Sequence, residues 1–155
     1  MSGAFTKEQD DDELREELPD RPISPHRNLV TPEGLAQIEA ELTRLQAELD
    51  AAQQGDDKHA LARVTRDLRY WSARRASAEL IHKIADVGQV RFGHRVVVED
   101  ETGKRRSYRL VGEDEADPSK GLIPYVAPLA EALMGKGVGE SAEVGSHSAT
   151  IVEIA

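Results

Sequence analysis

The sequence contains no cysteine, so it can hold neither a disulfide framework nor a thiolate zinc site, an absence in keeping with a reducing compartment. It has no apolar stretch near the roughly 20 residues a membrane-crossing helix requires, and its N-terminus is acidic where a secretory leader would be basic and then apolar. A soluble cytoplasmic protein is expected. Lys136 lies among Gly135, Gly137 and Gly139 but lacks the strand and the trailing Ser/Thr of a phosphate loop. His26, His82, His94 and His147 are scattered, and no Ser/His/Asp constellation or dinucleotide fingerprint can be assembled. The chain is not expected to be an enzyme in its own right or to carry an intrinsic cofactor.

Positive charge is scarce: 20 Lys and Arg stand against 29 Asp and Glu, a net charge of -9, which argues against general or sequence-specific DNA binding. The imbalance is concentrated at one end. Residues 1–20 hold Glu8, Asp10, Asp11, Asp12, Glu13, Glu16, Glu17 and Asp20 against Lys7 and Arg15, a sum of -6, which leaves -3 for the rest. With few apolar residues and with Pro19, Pro22 and Pro25 at its end, the segment 1–27 is expected to be a disordered, solubilising tail. The alternative is an acidic arm that covers a basic surface elsewhere.

Apolar residues then recur at alternating steps of three and four: Leu35, Ile38, Leu42, Leu45 and Leu49, and again Leu61, Val64, Leu68 and Trp71. Thr31-Pro32-Glu33 is a helix start, with a capping hydroxyl followed by proline at the first helical position. Gly55 is expected to stop the first helix, and the second is expected over Lys58–Ile84. Two helices sharing one seam across so short a turn fold back antiparallel, giving a hairpin over residues 28–86 with arms on the order of 35–40 Å and a tip near 55–59. The first arm carries -4 (Glu33, Glu39, Glu41, Glu48, Asp50 against Arg44) and the second +5 (Lys58, Arg63, Arg66, Arg69, Arg74, Arg75, Lys83 against Asp67 and Glu79). Opposite arms favour an intramolecular hairpin over a coiled-coil dimer, so a monomer is expected. Arg66, Arg69, Arg74 and Arg75 are the candidates for contact with an acidic partner, while Trp71 is assigned to the core.

Beyond Asp86 the period changes. Val96-Val97-Val98, the turn Glu101-Thr102-Gly103-Lys104 and the alternating Ser107–Val111 read as a β-hairpin. A loop over Gly112–Gly121, a strand over Leu122–Val126, a short helix from Pro128 ended by Gly135, and final strands at Glu143–Val144 and Ala149–Ile154 complete a domain over 87–155. The fold class is α+β, with the helical hairpin followed by a small antiparallel sheet carrying one helix.

Tyr108-Arg109-Leu110-Val111-Gly112-Glu113-Asp114-Glu115-Ala116-Asp117, the Pro128–Gly135 helix and Gly135-Lys136-Gly137-Val138-Gly139-Glu140 resemble, in that order, the C-terminal domain of the GreA/GreB transcript cleavage factors. Phe92-Gly93 is similar to the opening of that domain, and Asn28-Leu29-Val30-Thr31-Pro32-Glu33-Gly34 to the start of the family's coiled coil. The resemblance covers about residues 28–155. It implies an FKBP-like C-terminal domain docked on bacterial RNA polymerase at the secondary channel, with Asp114, Glu115 and Pro128 as candidate contacts. It also implies a coiled coil that enters the channel, where tip carboxylates help to hold a second Mg²⁺ at the polymerase's own active centre.

Residue by residue, the family's tip, which resembles Gly-Asp-x-x-Glu-Asn, is matched here by Gly55 and Asp56. His59 stands where the glutamate is expected and Ala60 where the asparagine is. The tip candidates are thus Asp56, Asp57 and His59, with Asp56 alone as a Mg²⁺ ligand, because that ion prefers oxygen to imidazole. Set against the Asn28 motif and Arg69-Tyr70, both arms are shorter than the family's by two to three turns, about 13 Å of reach at 1.5 Å per residue. The expected function is a Gre-like elongation factor with weak or no stimulation of transcript cleavage. The alternatives are an active cleavage factor using Asp56 and Asp57, a nucleoside diphosphate kinase regulator, and a peptide-binding or prolyl-isomerase module. Isomerase activity is disfavoured because only Phe92, Tyr108 and Tyr125 could line such a pocket.

Overall fold

The computed structural model describes residues 18–155. Most of the acidic tail, residues 1–17, lies outside the described residues. In chain order the elements are β1 (Leu29–Val30), α1 (Pro32–Gln54), α2 (Lys58–Ser77), β2 (Glu79–Leu80), β3 (Arg95–Asp100), β4 (Arg105–Val111), β5 (Leu122–Pro124), α3 (Pro128–Leu133), β6 (Ser141–Val144) and β7 (His147–Ile154). They divide into two compact units: one of residues 37–77 with the described residues 18–25, the other of residues 26–36 and 78–155.

In the hairpin unit the seam is real but uneven. Ile38, Leu45 and Val64 are fully buried, while Leu42, Leu49, Leu61, Leu68 and Trp71 are half-buried. Two ion pairs fix the antiparallel register: Arg63 reaches Glu48 at 3.7 Å near the turn, and Arg75 reaches Glu39 at 3.2 Å further down both helices. Such exposed pairs specify alignment more than they stabilise, at about 0–1 kcal/mol each. The expected seam omitted Ala52, Ala62 and Arg74, all of which are buried. Arg74 is only 1% exposed, so its aliphatic stem belongs to the packed face of α2.

The second helix ends at Ser77, short of the expected Ile84. The backbone beyond it is taken by long-range pairing: β2 lies parallel to β1, with Glu79 N–H donating to the Asn28 carbonyl at 2.8 Å and Ile81 N–H to the Val30 carbonyl at 2.9 Å. These bonds compete directly with the helical ladder and win, since a helix end leaves carbonyls and amides without partners anyway. Arg27 donates from Nη2 and Nε to the two oxygens of the Glu79 carboxylate, at 2.7 and 3.2 Å, and holds that carboxyl below its usual range.

The sheet unit has five strands in the order β5-β4-β3-β7-β6. Alternation along β3 sends Val96 and Val98 inward to meet Val90, Leu110, Ala142, Ile151 and Ile154, and α3 closes this core with Ala130 and Leu133. This is the one-helix α+β arrangement expected from the sequence. Three of the four pairings are antiparallel; the fourth differs, because β5 joins β4 in parallel. The reason lies in the connection. Residues Glu113–Glu115 and Pro118–Lys120 form two 3-10 turns, the second capped by Asp117 Oδ1 accepting from Ser119 N–H at 3.1 Å, so the chain loops round and re-enters in the same direction.

His94, which the sequence left without a role, is a buried fastener. Its Nδ1 accepts the Arg91 N–H at 2.9 Å, so the ring proton is on Nε2 and is donated to the Ile84 carbonyl at 2.8 Å. The segment leading into β3 is thereby tied down without regular secondary structure.

Candidate functional site

The tip of the hairpin is built by two helix caps placed back to back. Gly55 was expected to end α1, but the residue that turns left-handed is Asp56, at φ 49°, the one non-glycine residue with positive φ among the described residues. Asp57 N–H donates to the Ala52 carbonyl at 3.1 Å and Asp56 N–H to the Gln53 carbonyl at 3.4 Å, the paired bonds of a Schellman stop. Asp57 then starts α2: its Oδ1 accepts Ala60 N–H at 3.1 Å and its carbonyl accepts Leu61 N–H at 2.9 Å.

The two neighbouring carboxylates therefore have different jobs. Asp57 is an N-cap, and Asp56 is an exposed residue held in a conformation that glycine adopts more readily. Replacing Asp56 with glycine is expected to stabilise the hairpin by about 0.5–1 kcal/mol. That is the relief of the left-handed penalty, less the extra freedom glycine has when unfolded. Thermal unfolding of the two proteins side by side checks this, and a lower melting temperature for Asp56→Gly would contradict it.

His59 is exposed on the first turn of α2. Among the described residues no group of three or more His, Asp or Glu side chains is placed to hold a metal ion. The tip does not fit a resident Mg²⁺: one carboxylate is committed to the backbone, the imidazole is the wrong donor, and Asp56 remains as a single oxygen ligand.

The arginine candidates are also sorted by the fold. Arg66 bonds to the adjacent Asp67 at 3.2 Å, Arg69 to Asp20 at 2.6 Å and Arg75 to Glu39. Arg74 is withdrawn as a partner contact because burial hides it. In the sheet unit Asp114 is half-buried on the first 3-10 turn and Pro128 is exposed at the start of α3.

Glu115 is withdrawn too. It is 7% exposed, and its Oε2 accepts the Thr31 hydroxyl at 2.5 Å. Thr31 Oγ1 in turn accepts Gly34 N–H at 3.0 Å, so the carboxylate acts through the N-cap of α1. Beside it, Glu33 is held below the usual carboxylate range, first by its own backbone N–H and then by Arg109 at 3.2 Å. Sequence periodicity could not find this network, because Thr31 and Glu115 are 84 positions apart.

The family model described as "Transcription elongation factor, GreA/GreB, C-term" matches residues 85–155. Transcription elongation factor GreA of Ruegeria pomeroyi is 33% identical over 141 residues, covering 74% of this chain and 86% of that protein. GreA of Syntrophobacter fumaroxidans is 33% identical, covering 81% of this chain and 96% of that protein. The chain belongs to the GreA/GreB family. GreB of Pseudomonas aeruginosa is 35% identical over 127 residues, with 70% and 76% covered.

The two hairpin helices have 23 and 20 residues, about 34 and 30 Å. The Ruegeria alignment runs over 141 positions but uses 74% of 155 residues, or about 115, so some 26 positions have no counterpart here. No helix among the described residues is long and apolar enough to cross a membrane.

Proposed function

We propose that this Gre-like factor binds bacterial RNA polymerase at its secondary channel and modulates elongation or initiation with weak or no stimulation of transcript cleavage. The hairpin, residues 28–86, would enter the channel, and the domain over 87–155 would dock at its rim through Asp114 and Pro128. The observation that carries the reading is the tip. Of the two aspartates, Asp57 is committed to the Ala60 amide, and His59 replaces the carboxylate that would complete an oxygen pair.

Any Mg²⁺ involved is the polymerase's own, approached by Asp56 alone. With no assembled donor set and short arms, the hairpin serves as an occupant of the channel. Steric occupation needs length and shape, and a monomer with oppositely charged arms supplies both without sequence-specific DNA contact. The cytoplasm, where the polymerase works, is the corresponding location.

Tagged protein should retain purified bacterial polymerase, and Asp114→Arg should weaken retention by about tenfold or more, as reversing a charge in a docked patch does. Failure of the wild-type protein to retain polymerase would reject the reading. A nucleoside diphosphate kinase regulator is the second reading, favoured by the same short arms. Enrichment of that kinase from a bacterial lysate, with polymerase subunits absent, would decide for it.

A further inference from the structure

The inner face of the five-stranded sheet changes character along its length. Register fixes which residues share that face: Val96 opposes Tyr108 and Val98 opposes Arg106 between β3 and β4, while Asp100 opposes Ala149 and Val144 opposes His147. Where α3 covers it, the face is core, with Val96, Leu110 and Ile151. Along β4 the inward positions then run from Leu110 through Tyr108 to Arg106, with Lys104 next in the turn. A face that is apolar at one end is cationic at the other.

The two adjacent arginines of β4 show that this is not general surface charge. Arg105 points outward and meets Glu99 at 3.5 Å, whereas Arg106 points inward and meets no carboxylate within ion-pair distance. The side chains of Lys104, Arg106 and His147 are exposed and make no ion pair or hydrogen bond with another described residue. Asp100 shares the face, but its Oδ1 is committed to the turn, accepting from Thr102 N–H at 2.9 Å, Thr102 hydroxyl at 2.6 Å and Lys104 N–H at 3.0 Å.

These residues border an open cavity of about 420 Å³ that lies wholly within the sheet unit. Its apolar side is formed by Val98, Tyr108, Leu129 and Val144, and its polar side by Lys104, Arg106 and His147. Arg106 on β4 and His147 on β7 are separated by one strand, β3, so their backbones stand roughly 10 Å apart and the cations face one another across the opening. A planar carboxylate engages one arginine edge-on, whereas a tetrahedral phosphoryl group presents oxygens to donors on opposite sides. The volume falls in the range of about 300–1,000 Å³ that holds small molecules, which is more than a bare anion fills.

We propose that this end of the sheet binds a small organic phosphate, with its phosphoryl group at Lys104, Arg106 and His147 and its apolar or aromatic body against Val98, Tyr108 and Leu129. The cations supply attraction and orientation, and the apolar wall makes the body part of the recognition. The site uses only residues of the sheet unit and neither Asp114 nor Pro128, so it stands or falls separately from the polymerase reading.

The test is a titration of the isotope-labelled full chain with 1-naphthyl phosphate at constant ionic strength, followed by amide chemical shifts. Signals of residues 104–108 and 144–149 should move saturably, with a dissociation constant under about 1 mM. 1-Naphthol and inorganic phosphate, which each carry half of the ligand, should bind about tenfold more weakly or worse. Arg106→Gln should weaken 1-naphthyl phosphate by about tenfold or more, while Arg105→Gln on the outer face should leave it unchanged, with both variants giving the wild-type pattern of signals elsewhere. Adenosine monophosphate binding more tightly than 1-naphthyl phosphate would place the natural source among nucleotides, and the reverse among other phosphate esters. Absence of saturable shifts at those residues with either ester, a response to inorganic phosphate as strong as to the esters, or equal losses for Arg105→Gln and Arg106→Gln would overturn the proposal.

Discussion

Replacing Thr31 with valine is expected to lower the unfolding free energy by about 2–5 kcal/mol, although the two side chains have nearly the same shape. The hydroxyl does two things at once. It accepts the Gly34 amide as the N-cap of α1, a contribution of about 1–2 kcal/mol, and it donates to the Glu115 carboxylate. Valine removes both bonds and leaves a buried carboxylate oxygen without that donor, at a further cost of about 1–3 kcal/mol. Urea denaturation followed by circular dichroism measures the loss. Thr31→Ser, which keeps the hydroxyl, should cost under about 1 kcal/mol, and equal losses for serine and valine would refute the assigned role.

Gly112→Ala is the second large effect, with an expected destabilisation of about 2–3 kcal/mol. The residue's φ of -69° is ordinary, so conformational freedom does not explain the glycine. Space does: a Cβ there would lie 2.4 Å from the Leu29 carbonyl oxygen, and that atom is backbone of β1, which cannot swing aside like a side chain. Relief would require parting residues 28–30 from their pairing with β2. The same denaturation experiment reads the outcome, and a melting temperature unchanged from wild type would show that the close approach is not real. By contrast, Gly93→Ala meets no atom within 4 Å and is opposed only by its positive φ of 86°, so it should cost less.

These two positions mark what the sequence could and could not disclose. Thr31-Pro32-Glu33 announces a helix start by local chemistry, and the structure places α1 from Pro32. The hydrophobic period revealed both helices, and the valine run and turn at Glu101–Lys104 revealed β3 and β4. What stayed hidden is long-range. Two-residue strands such as β1 and β2 have no period to detect, and Glu79-Leu80 extends the helical pattern well enough that only its pairing with Leu29-Val30 ends α2 early.

Charge misled for the same reason. Arg74 and Glu115 are residues normally exposed, and the sequence offered no sign that one packs into the hairpin and the other answers a threonine 84 positions away. At the tip, Gly55-Asp56-Asp57 was legible as a stop and a start. Which residue performs each was not, because aspartate serves as readily in a left-handed C-terminal position as in an N-cap.

The assignment of the tip as a channel occupant that does not deliver a metal-binding pair is tested most directly by transcript cleavage in stalled, backtracked polymerase complexes supplied with Mg²⁺. The rate should rise little or not at all when the protein is added, and it should be the same for wild type and Asp56→Ala. A strong acceleration by the wild-type protein that Asp56→Ala abolishes would contradict it.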